Sequence, residues 1–355
     1  ESDGMMIGEG VGMIVMKRLA DAERDGDKIY AVIRGVGSSS DGRYKSIYAP
    51  RATGQAQAVV RAYDDAGYSH ATVGLVEAHG TGTPAGDPTE FDGLNQVFSH
   101  NNPMRQHIAL GSVKSQIGHT KAAAGAASMI KVALALHHKV LPPTLNVTAP
   151  NPKMDIENTP FYLNTHTRPW LKPTDGSPRR AGVSAFGFGG TNFHFALEEY
   201  SGDHAEAYRL HRTAKALFLA APSPQQLLTK ATAQLAALRS ETGAATYEEL
   251  IVASQTPNIP TASARIGFVS DSLVQGVEML ETAVKLLRAK LNATDWEHPK
   301  GIYYRQTGIA TQGKVVALFP GQGSQYLEMG KRLALNFPAI RDAYGQIDAL
   351  FAAEG

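Results

Sequence analysis

Two histidines, a lysine and a glycine-rich loop lie in three short motifs of this 355-residue chain. The motifs are His79-Gly80-Thr81-Gly82-Thr83, Lys114-Ser115-Gln116-Ile117-Gly118-His119 and Phe186-Gly187-Phe188-Gly189-Gly190-Thr191-Asn192. Neutral imidazoles can donate hydrogen bonds to an oxygen that gains negative charge, and glycines expose backbone N–H groups able to do the same. Together the motifs read as the proton-handling and oxyanion half of an acyl-transfer site. The chain has no cysteine, so no thiol nucleophile, thiolate metal site or disulfide comes from it.

Each residue also has a plainer reading. His79 follows an apolar strand in a Gly/Thr loop, where a histidine can simply hydrogen-bond a neighbour. Lys114 could be a solvated surface lysine. His119 precedes a long Ala-rich helix, whose positive end disfavours an imidazolium and keeps the ring neutral. One loop delivering both Lys114 and His119 says more than either alone. The paired glycines Gly189 and Gly190 could be an ordinary hairpin turn. No motif has metal-ligand spacing. Gly8-Glu9-Gly10-Val11-Gly12 runs into a strand rather than a helix, which argues against a phosphate cradle.

The elements that must position these residues alternate in type. Residues 11–17 and 29–36 predict a strand-turn-strand pairing across a polar stretch, and 50–67 a helix with Ala56, Val59, Val60 and Tyr63 on one face. A short buried strand over 73–77 delivers His79, and a helix follows over 88–100. A strand over 108–113 leads to Lys114, and the Ala-rich helix runs over 120–138, small enough on its surface to pack centrally. Residues 149–169 read mostly as loop with a strand near 161–163, and strands over 180–185 and 192–197 flank the glycine turn. A boundary falls near 198–203. Strands over 216–220 and 265–269, with helices over 224–238 and 272–291, predict a small α/β subdomain. A third unit begins with a strand over 315–319 and the loop Pro320-Gly321-Gln322-Gly323-Ser324-Gln325.

Composition excludes several classes. Apolar residues make up 43% and charged residues 19%, ordinary for a globular protein, and the net charge of +1 argues against nucleic acid or an anionic membrane as partner. No apolar run reaches a membrane span. The composition fits the cytosol. Both termini read as cut from a longer polypeptide.

The three motifs in this order resemble the C-terminal half of a β-ketoacyl synthase of the thiolase superfamily, in the multidomain polyketide and fatty acid synthase branch. The resemblance covers about residues 1–200, and its first histidine motif is Glu77-Ala78-His79-Gly80-Thr81-Gly82-Thr83 with Gly86-Asp87-Pro88-Thr89-Glu90 behind it. It implies a layered α/β/α/β/α fold. It implies that His79 and His119 polarise a malonyl thioester and stabilise the enolate formed on decarboxylation. Lys114 would orient the histidines with Glu90 as its charge partner, Phe188 would gate the acyl channel, and Phe188, Gly189 and Gly190 would bind the oxyanion. Thr81, Thr83 and Asn192 would support the site. The nucleophilic cysteine would lie upstream.

Residues 201–312 resemble the linker between ketosynthase and acyltransferase, and 313–355 resemble the start of a malonyl acyltransferase, with Gln322 at its oxyanion hole. Residues 319–351 resemble the bacterial polyunsaturated fatty acid synthases. The resemblance further implies no directly bound cofactor or metal, substrates carried on the phosphopantetheine of an acyl carrier protein, a homodimeric intact protein and a cytoplasmic location. Two other functions stay open. One is a decarboxylase-type ketosynthase without the cysteine nucleophile; the other is a non-catalytic linker or carrier-docking module. Either way, residues 1–200 alone are expected to be poorly soluble, because one of two related halves exposes surface meant for the other.

Overall fold

The computed structural model describes residues 3–43, 46, 49–202, 215–254, 258–309, 316, 318 and 320–354. They fall into two units, residues 1–210 with 327–355, and residues 211–326. The first unit runs α1 (Leu19–Asp25), β1 (Val32–Ser40), α2 (Ala52–Ala66), β2 (Leu75–Glu77), α3 (Gly86–Phe98), β3 (Ile108–Gly111), α4 (Lys114–Ile117), α5 (Ala124–His138), β4 (Val140–Leu141), β5 (Phe161–Leu163), β6 (Arg168–Pro169), β7 (Arg180–Gly187) and β8 (Thr191–Glu198).

Six of these strands form one sheet in the order β1-β8-β7-β2-β3-β5. β1, β8 and β7 pair antiparallel, while β7, β2, β3 and β5 run parallel. Side chains alternate across the sheet. On β3, Ile108 and Leu110 join Val59 and Tyr63 of α2 and Phe91, Leu94 and Phe98 of α3 in one core. Ala109 between them joins Met129, Val132 and Leu136 of α5 in the other. Parallel strands buried between two helical layers are apolar on both faces, as β3 is, and as β2 is up to its last residue, Glu77. The approach of α2 to β1 is close enough to require glycine. A Cβ at Gly37 would sit 1.9 Å from the Ala58 carbonyl oxygen.

Because β2, β3 and β7 are parallel, their carboxyl ends lie along one edge of the sheet. The His79 loop leaves β2, the Lys114 turn leaves β3, and the glycine loop joins β7 to β8. Loops at the carboxyl ends of parallel strands build clefts, which brings three motifs that are remote in sequence into one place.

The predicted pairing of residues 11–17 with 29–36 is corrected. Between them Leu19–Asp25 is a helix, in which Asp21 bridges Arg18 and Arg24 at 2.6 Å each and Gly26 at φ 69° ends the turn. A helix there carries the chain away from a tight reversal, and β1 pairs with β8 instead. Residues 8–18 form neither helix nor strand, and Val11, Met13 and Val15 are 97%, 89% and 98% exposed. On α2, Ala56, Val59 and Tyr63 are buried as predicted, but Val60 points away from the core.

In the second unit, β9 (Ala216–Ala221), α6 (Pro224–Leu238), α7 (Gly243–Ala253), β10 (Ala264–Val269), α8 (Leu273–Ala289), β11 (Asp295–His298) and β12 (Ile302–Arg305) build an antiparallel sheet, β11-β12-β10-β9, with its own core. Ser223 and Ser272 cap α6 and α8 by accepting from the backbone N–H of Gln226 and Gln275. The two predicted strands and two helices are present; α7 and the β11–β12 hairpin add to them. Residues 315, 317 and 319 of the predicted third strand lie outside the described residues. The chain closes with α9 (Lys331–Asn336) and α10 (Pro338–Glu354), both in the first unit.

Candidate active site

His79 sits two residues past the end of β2, and its loop is held by α3. The Glu90 carboxylate accepts from the backbone N–H of His79 at 2.7 Å and of Gly80 at 2.8 Å. Asp87 accepts from the Gly82 N–H at 3.0 Å, and the Thr81 and Thr83 hydroxyls lie 3.1 Å apart. Two carboxylates three residues apart on one helix face therefore take up the part-buried N–H groups of His79, Gly80 and Gly82. From the β3 side, Ser112 Oγ donates to the His79 and Gly80 carbonyls at 3.4 and 3.3 Å.

Lys114 begins the single turn α4 and is 7% exposed, which removes the surface-lysine reading. Its Nζ has no hydrogen-bond partner among the described residues. Glu90, expected as its charge partner, spends its oxygens on the His79 and Gly80 N–H groups and acts on Lys114 only through space. His119 follows Gly118 and is tied to the N-terminal segment, donating its N–H to the Met6 carbonyl at 2.8 Å. Its Nδ1 accepts from the Lys121 backbone N–H at 3.0 Å. That leaves the ring proton on Nε2, the tautomer of a neutral imidazole that can donate.

The rings of His79 and His119 stand edge to face with centroids 5.3 Å apart, and Phe186 lies 6.2 Å from His79. The loop Phe188-Gly189-Gly190 closes the β7–β8 hairpin, where Phe186 pairs with Asn192 and Gly187 with Thr191. Gly189 and Gly190 have φ of 86° and 73°, in the left-handed region that glycine tolerates best. A buried pair holds the loop, with Asn192 Nδ2 donating to Asp41 Oδ1 at 2.8 Å and the Asp41 N–H to the Gly190 carbonyl at 2.8 Å. The Phe188 ring is 79% exposed at the rim.

Electrostatics favours uncharged rings. Burial, then Lys114, then His119 lower the His79 pKa to about 3. Burial followed by Lys114 lowers that of His119. The helix end expected to do this begins only at Ala124, beyond a 3-10 turn over Lys121–Ala123. Burial lowers Lys114 and raises Glu90 to about 7, the latter against the pull of its two N–H donors.

A cavity of about 970 Å³ is lined by His79, His119, Thr81, Thr83, Phe188 and Asn192 among others. Two neutral imidazoles and a glycine loop at one cavity can stabilise negative charge on a thioester oxygen. Gln322 lies in the second unit, in an exposed turn. Among the described residues no cluster of His, Asp and Glu could hold a metal, and no helix is long and apolar enough to cross a membrane. Sequence reasoning missed Asp41 and Lys131, and gave Glu77 no role although it opens the first histidine motif. Their signals were a charge ending an apolar strand at Glu77 and a lone lysine within an Ala-rich helix at Lys131.

Residues 30–148 match the family described as beta-ketoacyl synthase, C-terminal domain, and residues 150–266 match the ketoacyl-synthetase C-terminal extension. The chain belongs to the β-ketoacyl synthases, of the kind found in polyketide and polyunsaturated fatty acid synthases, and has their mixed α/β thiolase-like fold. One subunit of the polyunsaturated fatty acid synthase of Thraustochytrium sp. is 43% identical over 369 residues, which cover 98% of this chain and 13% of that protein. Polyketide synthase PksL of Bacillus subtilis is 45% identical over 233 residues, 65% of this chain and 5% of that protein. The chain thus spans a small part of the curated relatives it matches. The ketosynthase from module 6 of the bacillaene synthase of Bacillus subtilis 168 superposes with a TM-score of 0.51 and 38% identity, over 76% of this chain and 46% of that one.

Proposed function

We propose that the cavity is the decarboxylating and oxyanion-binding part of a condensing site in a multidomain polyketide or fatty acid synthase, an acyl-transferring enzyme. The substrate is a malonyl thioester on the phosphopantetheine arm of an acyl carrier protein. As CO2 leaves, the electron pair of the broken C–C bond moves onto the α-carbon and the thioester oxygen. His79 and His119, both neutral, hydrogen-bond that oxygen. The α-carbon then attacks an acyl thioester and expels its thiolate. The chain has no cysteine, so the acyl group is held by a thiol from residues outside it. The loop of Phe188, Gly189 and Gly190 receives the second oxyanion, Phe188 gates entry, Lys114 and Glu90 orient the histidines, and Thr81, Thr83 and Asn192 shape the walls.

The observation that carries this reading is the His79–His119 contact, two rings 5.3 Å apart with the donor tautomer of His119 fixed by the Lys121 N–H. We further propose the three-part organisation: ketosynthase over 1–200, linker over 201–312 and the opening of a malonyl acyltransferase over 313–355 with Gln322 as its oxyanion residue. The division of the structure between residues 210 and 211 supports a boundary in this region, and the extension match over 150–266 runs across it. A homodimeric, cytoplasmic synthase is the setting. The test is His79→Ala and His119→Ala in the synthase that carries this chain, reading CO2 release and β-ketoacyl product separately. Loss of both supports condensation. CO2 release without product in the unsubstituted protein would favour a decarboxylase, and full activity in either variant would refute the assignment.

A further inference from the structure

We infer that Glu77 and Lys131 form a buried positioning pair that ties the backbone bearing Lys114 to the strand bearing His79. The inference rests on the condensing-site reading. Glu77 is the last residue of β2, two before His79, and is fully buried. Its two oxygens serve different elements. Oε1 accepts from the backbone N–H of Val113, the neighbour of Lys114, at 2.5 Å. Oε2 accepts from Lys131 Nζ of α5 at 2.8 Å. One carboxylate thus fixes β2, the turn after β3 and α5 relative to each other.

The strand register places this pair. Gly111 is the register partner of Glu77 on β3. A Cβ there would lie 2.3 Å from Thr144 Oγ1, so Thr144 requires the glycine, and 3.7 Å from Lys131 Nζ, an ordinary contact that places the ammonium beside this register pair. A glutamine at position 77 could accept from the Val113 N–H without placing two charges in the interior, where charges are costly. What the ion pair adds is a balanced field beside Lys114. The charged and titratable groups that face Lys114 are Glu77 from β2, Glu90 from α3 and Lys131 from α5, with His79 and His119 on the cavity side. The two carboxylates favour its ammonium, whereas Lys131 and burial oppose it. Removing one member of the pair therefore shifts Lys114 in a direction set by which member is lost.

The experiment is the pH dependence of malonyl-thioester decarboxylation by the synthase that carries this chain, with Glu77→Gln, Lys131→Met and Lys131→Arg. Glu77→Gln keeps the acceptor for Val113 but loses the negative charge. The alkaline limb set by Lys114 should move about one pH unit lower, kcat should fall up to about a hundredfold through misplacement, and KM should hold. Lys131→Met leaves an uncompensated carboxylate and should move the limb higher. Lys131→Arg should restore limb and rate. A limb unmoved by Glu77→Gln, or moved the same way by both, overturns the pair's role, as does equal impairment by Arg and Met. Should Lys131→Met not fold, Glu77→Gln against Lys131→Arg makes the same test. Decarboxylation indifferent to His79→Ala and His119→Ala in the otherwise unchanged synthase would instead bring down the condensing reading, and this role with it.

Discussion

Glu90 grips His79 by the backbone rather than by the ring. Its carboxylate accepts from the His79 N–H at 2.7 Å and from the adjacent Gly80 N–H at 2.8 Å. A helix side chain therefore sets the path of the loop before the imidazole is placed. Glu90→Ala leaves two buried donors unpaired, at about 1–3 kcal/mol each. Glu90→Gln keeps one acceptor and should lose roughly half as much. Chemical denaturation of the three proteins measures this, and equal stability of the Ala and Gln variants would contradict the clamp.

Acid should destabilise the first unit. Burial is the main cause that lowers His79 and His194 to about 3 from the ordinary 6.5, His194 being fully enclosed between Ser184 Oγ at 3.0 Å and Tyr63 OH at 3.2 Å. Unfolded imidazoles take up protons near 6.5 and folded ones only near 3. The unfolded state thus binds more protons between these values, and stability falls as pH drops through that window. Glu90 opposes in part. Raised from 4.5 to about 7, it contributes stability that is full below 4.5 and lost as pH rises through 7. His107, His119 and His138 are also lowered by burial and side with the first two. The melting temperature should be lower at pH 5 than at pH 7, and a rise on acidification would refute the balance.

The ring proton of His119 has a defined place. Nδ1 accepts from the Lys121 N–H, so Nε2 carries the hydrogen at neutral pH. Long-range 15N–1H correlation spectra of histidine-labelled protein should show the Nε2–H tautomer for His119 down to a pH below that of a free imidazole. The opposite tautomer would remove its role as a donor to the thioester oxygen.

The parts of this protein that were legible in the sequence are those where local pattern and tertiary role coincide. The strand before His79, the Ala-rich helix and the hairpin at Gly189-Gly190 each follow from apolar runs broken by glycine, and their motifs name the site. What sequence could not show depends on contacts at long range. Residues 11–17 read as a strand by composition, yet strand pairing needs a partner, and β8, more than 150 residues along, takes β1 instead. Lys114 and Glu90 were expected to pair because the resemblance implied it. The glycine loop's unpaired N–H groups claim the carboxylate first. Lys131 and Asp41 carry no motif of their own and Glu77 only opens one, and the sheet order alone brings their partners together.

Asn192 and Asp41 offer the most direct handle on the oxyanion loop. Asn192 is 1% exposed and Asp41 5%, and their 2.8 Å hydrogen bond joins the start of β8 to the end of β1. Asp41 also donates its N–H to the Gly190 carbonyl, so the pair fixes the path of the left-handed glycines, while the Gly190 N–H is donated to the Gly187 carbonyl at 3.3 Å. Asn192→Ala strips a donor from a buried carboxylate, at about 1–3 kcal/mol, and frees the loop. Gly190→Ala attacks the same joint sterically, since its Cβ would lie 2.6 Å from the Asp41 Cβ and φ is 73°. Both variants should raise amide hydrogen exchange across residues 187–191 while leaving β2 and β3 protected, because those strands are buried under α2, α3 and α5, away from the loop. In the synthase they should lower the rate of condensation more than that of decarboxylation, since the histidine pair is untouched. Equal loss of both steps would mean that the loop and the histidines share one structural unit, and that the division of labour between the two oxyanion sites is wrong.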